Sequence, residues 1–281
     1  MVPKGKLLII GGAEERKGQH PSEELQVNER FDILKKLLPK GHEDGRVELI
    51  TSASSAAEEV ADMYRQTFKQ LGYGNFGFMN PVSKDEAQEQ GLCDRIQKAD
   101  TVFLTGGDQL RLSTILAGTA LWDLVKQRYE RDKGFMIAGT SAGAMALSEI
   151  MIIGGGMSEA LIGADIQTAS GLSFLHNCII DTHFIKRGRF SRLAHAILLN
   201  TANLGIGLGE DAALLITQGR LATCVGSGMV VVIDGEKISN TNISDAQSGS
   251  PVYVADLKVH LLVEGCKLNL ADKELFFPKI T

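Results

Sequence analysis

Short apolar segments alternate with longer segments of helical periodicity along the first two thirds of the chain. The apolar segments predict strands at residues 6–10, 47–51, 101–105, 135–139, 178–181 and 213–217. The periodic segments predict helices at residues 23–38, 56–71, 109–125 and 191–199. This alternation is typical of an α/β fold, in which a mostly parallel sheet carries helices on both faces.

The final third of the chain has a different pattern. Residues 230–234, 251–254 and 257–262 predict short strands joined by hairpin turns. We interpret them as a C-terminal antiparallel extension of the same unit. Since no repeat or linker interrupts the pattern, we expect a single domain that spans residues 1–281.

Composition narrows the function classes. The chain has 34 acidic and 29 basic residues and a net charge of -5, which disfavours nucleic-acid binding through bulk charge. No apolar run approaches the roughly 20 residues of a membrane span, so we expect no membrane association. The N-terminal apolar stretch is too short for a secretory signal. The four cysteines are far apart, which favours buried thiols in the cytoplasm.

The sharpest local motif is Gly139-Thr-Ser141-Ala-Gly143, which follows a predicted strand and precedes small residues suited to a helix. Such a turn raises a serine hydroxyl above the sheet as a nucleophile, and the amide of Ala142 would then face a developing oxyanion. A glycine-rich turn without chemistry is the alternative. The strand before the motif and the helix after it favour the catalytic interpretation.

A nucleophilic serine needs a base, and His183 at the end of a predicted strand is the best placed histidine. His20 and His42 lie in charged loops, and His195 lies on a predicted helix, where packing or surface exposure is expected. Two glutamates are candidates for the third catalytic group. These are Glu210, before a strand, and Glu159, between the serine and His183.

Further candidates lie in two other segments. Gly107, in a turn after a predicted strand, would supply a second oxyanion amide, unless that turn is only structural or binds phosphate. A basic cluster follows His183 and is suited to substrate carboxylates, unless it is only a solvated helix face; it consists of Lys186, Arg187, Arg189 and Arg192. No metal-binding motif occurs. A serine hydrolase without metal or cofactor is therefore the simpler account.

Four ordered motifs together make a family resemblance. They are Gly11-Gly-Ala-Glu-Glu, Thr105-Gly-Gly-Asp-Gln109, Gly139-Thr-Ser-Ala-Gly-Ala144 and the segment from Asp181 to Arg192. With the C-terminal tail, they resemble the cyanophycinases, of the serine peptidase family that also contains aspartyl dipeptidase. The resemblance covers nearly the whole chain. One departure is Thr182, where the family often has glutamine.

The resemblance implies a flavodoxin-like α/β fold related to class I glutamine amidotransferases, with a serine nucleophile in place of their cysteine. It implies Ser141 as nucleophile, His183 as base and Gly107 with Ala142 as oxyanion donors. It favours Glu210 over Glu159 as the acid, with Asp211 as a neighbour that could be mistaken for it. Substrate binding is implied for Gln109, Asp181, Arg187, Arg189 and Arg192, the arginines facing carboxylates and the acids facing guanidinium groups.

The implied activity is exopeptidase cleavage of cyanophycin, a poly-aspartate chain with arginine on each β-carboxyl, to β-Asp-Arg dipeptides by a homodimeric enzyme. Two other interpretations stay open. One is an aspartyl dipeptidase-like peptidase of the same family. The other is a non-catalytic, amidotransferase-like binding domain in which the serine has no catalytic role.

Overall fold

A computed structural model describes residues 2–14, 31–39, 45–156, 158 and 160–279. Within these ranges the strands are β1 (Lys6–Ile10), β2 (Val47–Ile50), β3 (Phe76–Met79), β4 (Thr101–Leu104), β5 (Met136–Thr140), β6 (Ile150–Gly154), β7 (Leu161–Ile162), β8 (Gln167–Ser170), β9 (Cys178–Asp181), β10 (Leu204–Leu208), β11 (Ala213–Thr217), β12 (Leu221–Val225), β13 (Val230–Asp234), β14 (Asn240–Thr241), β15 (Pro251–Val252), β16 (Val254–Ala255), β17 (Lys258–Leu262), β18 (Lys267–Asn269) and β19 (Leu275–Phe276). The helices are α1 (Asp32–Lys35), α2 (Ala57–Gln70), α3 (Gln90–Lys98), α4 (Gln109–Leu116), α5 (Ala120–Arg131), α6 (Ala142–Ala146) and α7 (Phe190–Leu199), with a 3-10 turn at Glu86–Gln88.

The central sheet has a parallel half and an antiparallel half. Its order is β19-β18-β12-β11-β1-β5-β4-β2-β3. The strands from β1 to β3 along this order are parallel, whereas β11, β12, β18 and β19 form an antiparallel extension. The expected α/β architecture with a C-terminal antiparallel extension is confirmed. The parallel strands β1, β2, β4 and β5 are almost fully buried because both of their faces are covered, whereas β3 at the edge of the sheet is half-buried.

Two apolar clusters fill the space on the two faces of this sheet. On one face α1 and α2 pack against alternate residues of the parallel strands, with Tyr64 and Phe68 at the centre. On the other face lie α3, α4 and α5, around Trp122. Helices therefore cover both faces, as the apolar pattern predicts.

A second sheet of order β17-β13-β10-β9 lies on the same side as α3 to α5. One of its faces contributes to the larger core cluster, and the other packs against α7. The predicted strand 178–181 was assigned to the main sheet, but it is β9 of this second sheet. Strand 230–234 also pairs here, as β13. Apolar pattern alone does not assign 178–181 to one sheet or the other, because β9 is fully buried, as are β2 and β4 of the main sheet.

The predicted helix 109–125 is divided into α4 and α5. Gly118 has a φ of 74°, outside the helical range, and the hydroxyl of Thr119 then accepts from the amide of Trp122 to cap α5. The prediction of one continuous helix was wrong because the apolar period continues through this break. Of the predicted helix 23–38, residues 23–30 lie outside the described residues, and the helical part of the remainder is α1.

Candidate active site

Ser141 lies at the sharp turn between β5 and α6. Its φ of 52° and ψ of -117° are unusual for a residue with a side chain. Two glycines allow this turn to form. A Cβ at Gly139 would lie 2.5 Å from the backbone of Gly143, and a Cβ at Gly143 would lie 2.3 Å from the carbonyl oxygen of Leu104. The spacing Gly-x-Ser-x-Gly thus has a steric reason here, since only glycine fits at either position.

The side chains of Ser141, His183 and Glu210 form a continuous hydrogen-bonded array. The Ser141 Oγ lies 3.0 Å from Nε2 of His183, and Nδ1 of His183 lies 2.9 Å from Oε1 of Glu210. When His183 is neutral with its proton on Nδ1, Nε2 accepts from the serine hydroxyl and Nδ1 donates to the carboxylate. This is the geometry of a nucleophile, a general base and an orienting acid.

The loops that carry the base and the acid are tightly constrained. His183, two residues after the end of β9, has a φ of 50°, and Asp211, directly after Glu210, has a φ of 51°. The side chain of Asp211 turns away from the imidazole and accepts a hydrogen bond from the Ser227 hydroxyl at 2.6 Å. Glu210, rather than Asp211, therefore contacts the histidine.

Burial and neighbouring charges shift the pKa values of His183 and Glu210. Burial lowers the pKa of His183 below its usual value, and the positive charges of Arg187 and Arg189 act in the same direction, while Glu210 opposes them. Burial alone would raise the pKa of Glu210, but hydrogen bonds from Lys186 and His183 outweigh it and lower that pKa. At neutral pH the array therefore has a neutral imidazole beside an ionised carboxylate.

Backbone amides lie next to the serine on two sides. Ala142 is the first residue of α6, where amides have no acceptor within the helix. The Gly106–Gly107 turn approaches from β4, and a Cβ built on Gly106 would be 3.8 Å from the Ser141 Oγ. Gly107 has a φ of 145°, and a Cβ there would lie 2.1 Å from the carbonyl oxygen of Ala53. A glycine is required for this close approach.

The basic cluster is partly buried and organised around one acid. The Asp181 carboxylate is fully buried and accepts from Nε of Arg192 at 2.8 Å, from Nη2 of Arg192 and from Nη1 of Arg189 at 3.1 Å. The expected contact of Asp181 with a substrate guanidinium does not fit this arrangement, because its oxygens already accept from two arginines. Arg187 is exposed beside the imidazole.

The remaining sequence candidates occupy distinct environments. The Gln109 amide donates to the carbonyl oxygen of Ile152 at 2.7 Å. Thr182 is buried, and its hydroxyl contacts the sulfur of Met145. His195 is buried in α7, so it packs inside the fold. His20, His42 and Glu159 lie outside the described residues.

Two residues at the site make contacts that the sequence does not predict. Lys186 donates to the second oxygen of Glu210 at 2.9 Å, and Glu14 accepts from the hydroxyl of Thr140 at 2.7 Å. The signal for Glu14 was present in the Gly-Gly-Ala-Glu motif, but no spacing rule links it to a residue 126 positions away. Lys186 was grouped with the arginines because of its charge.

The part of the chain that the structure describes has neither a metal-binding cluster nor a membrane-spanning helix. No group of three or more His, Cys, Asp or Glu residues in it is placed to bind a metal ion. None of its helices combines the length and the apolar character needed to span a membrane.

The α/β fold and the site place the protein in the class of serine peptidases. The model of peptidase family S51 matches residues 7–224, and the chain belongs to this family. Among curated relatives, a cyanophycinase of Geminocystis herdmanii is 31% identical over 95% of this chain and 94% of its own. A cyanophycinase of Trichormus variabilis is 30% identical over 96% of this chain and 87% of its own.

A solved structure shares the fold. It is the crystal structure of a peptidase from an acI-B1 Actinobacterium, which matches with a TM-score of 0.64 and 20% identity over 95% of this chain and 98% of its own. At this identity the likeness concerns the fold.

Proposed function

We propose that this protein is a serine exopeptidase that hydrolyses cyanophycin to β-Asp-Arg dipeptides through an acyl-enzyme on Ser141. The observation that carries the proposal is the hydrogen-bonded array of Ser141, His183 and Glu210 in a chain whose relatives are cyanophycinases. A serine held 3.0 Å from a neutral imidazole has the arrangement that acyl transfer requires.

In the first half-reaction the Ser141 Oγ bonds to the carbonyl carbon of a backbone amide while His183 Nε2 takes the hydroxyl proton. The amides of Gly107 and Ala142 stabilise the oxyanion. The carbon–nitrogen bond then breaks, and the departing nitrogen takes the proton from His183. Water, deprotonated by the same base, attacks the acyl carbon; the bond from this carbon to the Ser141 Oγ then breaks, and His183 returns the proton to Oγ.

Charge near the base supports an anionic substrate group. Each cyanophycin residue carries one arginine α-carboxylate, and the positive charges of Arg187 and Arg189 lie close enough to act on the imidazole. We propose that these two arginines bind substrate carboxylate. Arg192 and Asp181 are mutually paired, and we assign them to positioning Arg189. Gln109 would contact substrate from the opposite turn, in exchange for its present bond to a backbone carbonyl.

The test is to incubate purified protein with insoluble cyanophycin and to measure released β-Asp-Arg by mass spectrometry. Wild type should release the dipeptide, Ser141→Ala should not, and Ser239→Ala should match wild type because Ser239 is exposed and bonds to Asp256. A serine-reactive phosphonate reports the nucleophile separately.

Each result has a defined meaning. Labelling by the phosphonate without dipeptide release overturns the assignment of cyanophycin as substrate but supports Ser141 as nucleophile. Aspartyl dipeptides are then the substrates to assay. No labelling and no release overturn the enzyme assignment. Equal turnover of unmodified poly-aspartate contradicts the carboxylate contacts, because a site that pairs with the arginine branch penalises a substrate without it.

We also propose that residues 1–281 form one peptidase domain that acts as a cytoplasmic homodimer. The cysteines are free, and burial raises the pKa of Cys178 and Cys224 to about 12, which fits unreactive thiols in a reducing compartment. Light scattering after size exclusion measures the oligomer, and a monomer at micromolar concentration would contradict the dimer. Fractionation of cells tests the compartment.

A further inference from the structure

The loop after β1 contacts His183 and the residues that flank Ser141 and Glu210. It consists of residues 11–14, called here the 11–14 segment, and it follows the central strand of the main sheet. The amide of Ser141 donates to the carbonyl oxygen of Ile10 at 3.0 Å, immediately before this segment. The function described above assigns no role to the segment itself.

The first contact of the segment is with the base. The amide of His183 donates to the carbonyl oxygen of Gly11 at 2.8 Å, which ties the histidine loop to β1. Gly12 lies against the imidazole ring. A Cβ built on Gly12 would be 2.4 Å from both Cε1 and Nε2 of His183, and this is the edge of the ring that faces the serine.

The second contact is with the loop of the acid. The amide of Asp211 donates to the carbonyl oxygen of Gly12 at 3.2 Å. A Cβ on Gly11 would lie 1.9 Å from the carbonyl oxygen of Gly209, directly before Glu210. The missing side chains of both glycines thus allow the acid loop and the base to approach β1.

The third contact is with the turn of the nucleophile. The Glu14 carboxylate is 2% exposed, and it accepts from the Thr140 hydroxyl at 2.7 Å and from the Tyr64 hydroxyl at 2.6 Å. Thr140 directly precedes Ser141, whose backbone is strained. One oxygen of this carboxylate is hydrogen-bonded to Tyr64 of α2 and the other to Thr140, so the Glu14 side chain opposes rotation of this turn.

We propose that the 11–14 segment is the positioning element of the active site, with Gly12 setting the place of the His183 imidazole and Glu14 that of the Ser141 turn. The proposal rests on the function proposed above. It assigns these residues to geometry, since neither takes part in the proton transfer or bonds to substrate. Their effect should therefore fall on kcat more than on KM.

Gly12→Ala is the first test. The new methyl would force the ring to move by about 1 Å, and a misplacement of that size costs about 100-fold in rate. We expect kcat on soluble cyanophycin oligomers to fall by about 100-fold with KM changed by less than about threefold. Phosphonate labelling should slow in parallel because it also needs the base.

Gly118→Ala is the matched control for Gly12→Ala. Gly118 also has a positive φ, 74° against 96°, but a Cβ there would meet no atom within 4 Å. Both variants carry the same kind of backbone strain, so both should lower the melting temperature. Only Gly12→Ala should lower kcat. If the wild type is active and Gly12→Ala has the same kcat as Gly118→Ala, the role of Gly12 is overturned.

Glu14→Gln tests the other half of the proposal and keeps it testable if Gly12→Ala does not fold. An amide has one acceptor oxygen, so one of the two hydroxyls loses its acceptor and faces an N–H donor instead. We expect kcat to fall about tenfold, with the same loss in Thr140→Val and a smaller one in Tyr64→Phe. Wild-type kcat in both Glu14→Gln and Thr140→Val overturns the role of Glu14. An inactive wild type would instead overturn the proposed function.

Discussion

The glutamate of the array can be tested through its two different partners. In wild type, one oxygen of Glu210 accepts from His183 at 2.9 Å and the other accepts from Lys186 at 2.9 Å. Lys186 has only donors, so in Glu210→Gln it selects the amide oxygen. The amide nitrogen is then turned toward Nδ1 of His183 and donates to it.

This orientation has a chemical consequence. A donor facing Nδ1 moves the ring proton to Nε2, which can then no longer accept the proton of Ser141. Loss of the orienting carboxylate in serine peptidase triads lowers kcat by about 10⁴, equivalent to about 5 kcal/mol of transition-state stabilisation. We expect a loss approaching this value in kcat/KM of Glu210→Gln on soluble cyanophycin oligomers, while unfolding in urea changes little.

The double variant Lys186→Met, Glu210→Gln separates this explanation from loss of charge alone. Without the lysine the amide can rotate, present its oxygen to Nδ1 and restore the productive tautomer. We expect the double variant to be about tenfold more active than Glu210→Gln, whereas Lys186→Met alone should stay within about threefold of wild type. A double variant no more active than Glu210→Gln, or a loss below tenfold in Glu210→Gln, would refute the reasoning.

Three further predictions follow from burial and packing. When His183 is protonated, Nε2 can no longer accept the proton of Ser141, and the pKa of this histidine lies below its usual value. We therefore expect kcat/KM to fall with acid only below pH 6.5 and to be constant toward neutral pH. A fall centred above pH 7 would contradict this. Asp181→Ala leaves the Arg192 guanidinium buried without its acid and should cost about 3–5 kcal/mol in urea unfolding, with a value below 1 kcal/mol as the contrary result. Gly143→Ala places a methyl against the Leu104 carbonyl and should cost about 1–3 kcal/mol by the same assay; wild-type stability would show that the turn can relax.

Local chemistry explains why part of this site was accessible from the sequence. The turn around Ser141 is formed by consecutive residues, because a strand, a crowded glycine turn and a short helix follow one another in the sequence. His183 lies two residues beyond the carboxyl end of β9, where an α/β fold places functional side chains. Both features depend on neighbours within a few residues, so pattern and spacing predict them.

The sequence predicts less well which sheet each strand belongs to. The segment 178–181 reads as one more buried parallel strand, and it does pair in parallel with β10, but in a separate sheet. Likewise, the helical period runs through Gly118, although that residue ends the helix. Periodicity reports which faces are buried and not what covers them.

The amino-acid sequence by itself determined the α/β class, the Ser141 turn and the place of His183 after a buried strand, because each depends on short-range sterics and on apolar period. Only the tertiary structure decided how the charged groups are paired. Asp181 was predicted to contact substrate, yet it is buried between two arginines, and Glu14 meets Thr140 across 126 positions. Hydrogen bonds between distant side chains depend on how strands and loops are brought together in space, and no local pattern in the chain encodes that arrangement.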